Sequence, residues 1–156
     1  MPRPPLVRAV VDTNLIVRGI LRRRAQSGAV RLLDAFLDDQ FTLVTSDYIL
    51  DEVRKTLREP DVRKVASLSD ELIEATVAAF ASAAIVVAGD FAVEMVPTDP
   101  KDNPIIACAL EGHATFVVTD DRADLLPLKV VRVGGHRPVQ IVTPNDFLRH
   151  HLRRPR

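Results

Sequence analysis

Four acidic stations stand where apolar segments stop or helices begin. They are Asp12 in Val10-Val11-Asp12-Thr13-Asn14, Glu52 six residues after Ser46, Asp102 in Asp99-Pro100-Lys101-Asp102-Asn103, and Asp121 in Val118-Thr119-Asp120-Asp121. Carboxylates gathered at strand ends make an oxygen-only pocket that suits a hard divalent cation, Mg2+ or Mn2+. Left without a cation, such acids repel one another and resist deprotonation. Zinc is disfavoured, because Cys108 is the only cysteine and His113, His136, His150 and His151 are scattered. Cys108 in Ile-Ile-Ala-Cys-Ala-Leu reads as part of a helix core face rather than a reactive thiol.

Each acid also has a plainer reading. Asp12 or Asn14 could cap the following helix. Glu52 could be a solvated helix residue, and Asp121 with Asp124 could be turn and cap chemistry. Asp102 is different. With Asp99 as N-cap, Pro104 would be the fifth helical residue, where its ring and missing N–H damage the helix. The helix is therefore expected to start with Asn103 or Asp102 as cap and Pro104 in the first turn, which frees Asp99 from capping.

The elements that must hold these residues alternate. Continuous valine-rich runs at 6–11, 41–44, 84–87, 115–118 and 139–142 suit strands covered on both faces of a parallel sheet. Val130 to Val133 is an alternative last strand, with residues 134–138 as a turn to a partner. Val30, Leu33 and Leu37, widened by Leu32 and Phe36, form a helical face expected to pack on the sheet. Ser46 stands as an N-cap before Ile49, Val53 and Leu57. In that helix Glu52 lies roughly 60° from Ile49, on the border of the buried stripe. Ser69-Asp70-Glu71 opens a further helix, and Thr143-Pro144-Asn145-Asp146 opens the last in the capping-box manner. The expected fold class is α/β, with a central, mostly parallel sheet of about five strands.

The chain has 156 residues, 47% hydrophobic and 27% charged, which fits one globular domain over 1–150 with a basic tail at 151–156. No apolar run approaches the length of a membrane span, and the start, Met-Pro-Arg-Pro-Pro, does not make a signal peptide, so a cytoplasmic protein is expected. With 21 basic and 21 acidic residues the formal charge is zero, so any contact with a polyanion must be local. Arg18 with Arg22-Arg23-Arg24 is one candidate cluster, and the tail from Arg149 to Arg156 another.

Taken together, Asp-Thr-Asn after an apolar strand, Ser-x5-Glu, Asp-x-x-Ile-Ile-Ala-x-Ala and Val-Thr-x-Asp resemble the PIN-domain ribonucleases, in order, from Val10 to about Phe147. Asp-Pro-Lys-Asp-Asn and the ending Ile-Val-Thr-Pro-Asn-Asp-Phe-Leu are most similar to the bacterial branch that contains toxin components of toxin–antitoxin systems. The resemblance implies a three-layer α/β/α sandwich and a Mg2+- or Mn2+-dependent endoribonuclease. Its metal-binding acids fall on Asp12, Glu52, Asp102 and Asp121, with Thr119 as the threonine of Thr-x-Asp and Thr13 or Asn14 as the polar residue after the first acid. The middle position of Thr-x-Asp is Asp120 here, which leaves open which of Asp120, Asp121 and Asp124 faces the site.

An RNA substrate, a cognate antitoxin and a homodimer follow from the same likeness, with Arg18, Arg22, Arg23, Arg24 and Lys101 as candidate RNA contacts. A receiver-like phosphoacceptor would need a lysine after the last strand, where Ile-Val-Thr stands. An Asp-x-Asp phosphatase would need an aspartate at Asn14. The remaining alternatives are a catalytically silent module of the same fold, binding RNA or protein, and a housekeeping RNA-processing nuclease.

Overall fold

A computed structural model describes residues 5–89 and 103–152. The apolar runs become β1 (Arg8–Val11), β2 (Thr42–Ser46), β3 (Ile85–Val87), β4 (Phe116–Val118), β5 (Val130–Val131) and β6 (Val139–Val142). They form one sheet in the order β3-β2-β1-β4-β6-β5, parallel throughout except for the β5–β6 pair. The sheet thus has six strands where about five were expected. The two candidates for the last strand are both strands, joined by the turn at 134–138, where Gly135 takes a φ of +82°.

Helices fill the connections: α1 (Thr13–Leu21), α2 (Gly28–Leu37), α3 (Asp47–Leu57), α4 (Pro60–Ala66), α5 (Asp70–Ala83), α6 (Asn103–Glu111) and α7 (Pro144–Asp146), the last running on into a wide helical turn at Phe147–His151. Side-chain caps fix where several begin. The hydroxyls of Ser27, Ser46, Ser69 and Thr143 accept from the amides of Val30, Ile49, Leu72 and Asp146. On α2, Val30, Leu32 and Phe36 are buried, but Leu37 is 60% exposed, contrary to its place on the expected face. It is the last residue of the helix, and the chain leaves through Asp39 at a positive φ before any neighbour covers it.

Alternation along the central strands sends side chains to two cores. Leu43 and Val11 meet Leu15, Phe36 and Phe80 on one face. On the other, Val44 meets the end of α6, a helix buried from Ile105 to Leu110. A chain of rings, Phe36 to Phe41 to Phe147 to Phe116, ties α2 and the C-terminal turn to the sheet. Helices over both faces give the three-layer α/β/α architecture.

Candidate active site

From β1 the chain moves outward through β2 to β3, then returns to lay β4 on the other side of β1. The carboxyl ends of β1 and β4 therefore flank the point where the strand order reverses, the place where open α/β sheets hold ligands. Asp12 follows β1 and Thr119 follows β4. The backbone joins them, since the Asp12 amide donates to the Val118 carbonyl at 3.0 Å.

Asp12 occupies the N-cap position of α1, yet its side chain makes no cap bond. Its Oδ2 instead accepts from the Thr119 hydroxyl at 2.8 Å. Burial pushes the Asp12 carboxyl above its ordinary pKa. The Thr119 hydroxyl and the Thr13 backbone pull it back, the negative charge of Asp121 raises it again, and Arg18 lowers it. Thr119, fully buried, is the hinge of the arrangement, because its Oγ1 also accepts the Asp121 amide at 3.0 Å.

The three candidates for the fourth acid take separate roles. Asp121 is the one whose charge acts on Asp12, and its Oδ1 accepts the amides of Ala123 and Asp124 at 3.0 and 3.1 Å, closing the loop after β4. Asp120 turns to the rim and pairs with Arg18. Asp124 gives its backbone amide to that loop. Glu52, on α3, sits with its side chain 37% exposed and pairs with Lys55 at 3.4 Å, and it is not among the charges acting on Asp12. Asp99, Lys101 and Asp102 lie outside the described residues. Thr13 and Asn14 form the first turn of α1, where the Asn14 carbonyl accepts from Arg18 Nε.

Of the basic cluster, Arg22 is paired with Asp34 at 2.6 Å, while Arg23 and Arg24 are exposed. Sequence reasoning missed Arg122, which joins this cluster in space. Its only signal was its place one residue after Asp121. Cys108 is buried, with its thiol pushed up to about 12 chiefly by desolvation, so it is an inert core residue.

Among the described residues, no three His, Cys, Asp or Glu side chains stand together as a metal cluster. In kind, the donors present fit a hard cation. Asp12 and Asp121 are oxygen donors, and a cation between them would offset both the burial and the repulsion that raise Asp12.

A model of the PIN domain matches residues 8–123. The chain belongs to the PIN-domain family. PIN domains are generally nucleases and usually use divalent metals. No curated protein matches this one in sequence. Among solved structures, this PIN domain is similar to VapBC2 from Rickettsia felis, a crystal structure bound to a DNA fragment from the VapBC2 promoter. The TM-score is 0.51 at 16% identity, over 75% of this chain and 90% of that one. In this PIN domain, no helix among the described residues is long and apolar enough to cross a membrane.

Proposed function

We propose that this PIN domain is a Mg2+- or Mn2+-dependent endoribonuclease, the cytoplasmic toxin component of a bacterial toxin–antitoxin system. One observation carries the reading. A partly buried carboxylate, Asp12, is held beside a second, Asp121, at the strand-order reversal by a threonine bonded to both segments. A fold maintained for stability alone has no use for two coupled acids where burial penalises charge.

Asp12 and Asp121 would hold the cation, with Glu52 and Asp102 as further ligands by family likeness. When bound, the cation activates water towards phosphorus and stabilises the departing oxygen. The chain's own residues do the rest. Thr119 fixes the rotamer of Asp12 and the position of the Asp121 amide, so neither acid must reorganise when substrate arrives. Arg18, tethered to Asp120, places positive charge at the rim where an RNA phosphate would approach two acids.

The likeness of sequence to toxin components, with the fold shared with VapBC2, supports an antitoxin partner and a homodimer. The test is cleavage of RNA by purified protein in Mn2+ or Mg2+, in chelator, and with Asp12→Asn. Cleavage should need the cation and collapse in the variant while the fold is retained. Full activity in chelator or in Asp12→Asn would remove the proposal.

A further inference from the structure

Next to the acid pair lies a cleft of about 600 Å³, lined by Arg18, Arg23, Arg24 and Arg122 and by the start of α2 at Gly28. The chain has no net charge, so four guanidinium groups around one cleft are a local concentration that its overall balance does not explain. Arg18 is paired with Asp120, but among the described residues Arg23, Arg24 and Arg122 form no ion pair. Ser27 accepts the Val30 and Arg31 amides at the start of α2, and the positive end of that helix, at Gly28 and Ala29, lines the same space. Gly28 brings that end close to Pro144 of α7, since a Cβ at Gly28 would stand 3.1 Å from the Pro144 Cβ. The cleft shares its wall with the acids, because Asp120 lines it and precedes Asp121, and Arg18 lines it while lowering the Asp12 pKa.

We propose that this arginine cleft seats backbone phosphates of the single RNA strand flanking the bond that the acid pair cleaves. The inference rests on the nuclease reading for its substrate. The guanidinium groups of Arg23, Arg24 and Arg122, without an ion pair among the described residues, suit phosphate recognition that does not read bases. It resolves the conflict between an acidic site and a polyanionic substrate, because attraction is placed one residue away from the acids rather than among them.

The experiment uses the full chain carrying Asp12→Asn, in chelator, with a labelled single-stranded 12-mer RNA of mixed sequence, so binding is read without cleavage. Anisotropy titrations over a range of NaCl compare the parent with Arg23→Gln/Arg24→Gln/Arg122→Gln and with Arg31→Gln, an exposed arginine of α2 outside the cleft. The triple variant should bind about tenfold or more weakly, with the slope of log K against log salt reduced by about 2, while Arg31→Gln matches the parent. Unchanged affinity and slope in the triple variant, with an unchanged melting curve, would overturn the proposal. So would loss of binding to polyglutamate with RNA binding intact, which would give the cleft to an acidic protein segment. In the otherwise wild-type enzyme the triple variant should raise KM and leave kcat nearly unchanged. A wild-type protein that binds RNA through the cleft but never cuts would defeat the nuclease reading and leave the cleft standing.

Discussion

Thr119 makes two bonds with one hydroxyl, donating to Asp12 and accepting from the Asp121 amide, and it has no exposure to water. Thr119→Val keeps the shape and removes both. It should cost about 1–3 kcal/mol in chemical denaturation and lower kcat more than it raises KM. Asp12 is the opposite case, a group whose charge works against folding. Its folded pKa lies above the unfolded value, so the protein is most favoured below the unfolded pKa and loses stability as pH rises through the folded one. Metal-free Asp12→Asn should therefore melt higher than wild type at neutral pH, and the gap should close when both are melted below about pH 3.9. Added Mn2+ should reverse the order by stabilising the wild type alone, by about 2.7 kcal/mol at a hundred times its Kd. Asp12, Thr119 and Asp121 could be picked out from their place after valine runs. The sorting of Asp120 from Asp121 could not, because it depends on Arg18, over a hundred positions away on α1.

At the scale of elements, α6 ends by pressing its backbone onto β2. A Cβ at Gly112 would stand 2.2 Å from the Val44 Cγ1. Gly112→Ala should destabilise by about 1–3 kcal/mol, and Val44→Ala in the same chain should recover part of that in a double-mutant cycle. His113 then takes the left-handed turn at φ +54°, with Ala114 donating back to Ala109 at 2.8 Å, so it stops the helix. On β2 the Thr45 hydroxyl is buried with no hydrogen-bond partner among the described residues. Thr45→Val should raise stability by about 1 kcal/mol, read from the denaturant midpoint. The long strands and their caps were legible because valine runs and Ser or Thr before a helix act locally. β5 was legible as a candidate at Val130 to Val133 with its turn, but not as a strand beside β6 in the same sheet, since that depends on the pairing of the two rather than on composition. Leu37 misled for a related reason, because periodicity marks a face but not where the helix leaves its support.

Considered as a whole, the molecule joins a neutral overall charge to an uneven surface. Arg54, Arg58 and Arg63 interlace with Asp51, Asp70 and Glu74 across α3, α4 and α5, while the cleft arginines other than Arg18 stay unpaired among the described residues. This lattice ties α3, the helix that carries Glu52, to α4 and α5. Glu74→Lys should lower Tm, and the deficit should shrink in 1 M NaCl as screening weakens exposed pairs. If the chain is a toxin, its induction in a bacterium should arrest growth, and Asp12→Asn should abolish the arrest at equal expression. The α/β class and the order of the acidic stations were legible along the whole chain, whereas the cleft was not, because it gathers α1, α2, the loop after β4 and α7. The parallel order of the sheet has one more consequence. Asp12 and the Thr119 that orients it are 107 positions apart, so a chain still being synthesised has Asp12 for about 5–20 s before Thr119 exists. On the proposed nuclease reading, the growing polypeptide cannot cut during that interval, because its acid pair is completed only when β4 pairs beside β1, and that moment is the latest at which the proposed antitoxin would have to be at hand.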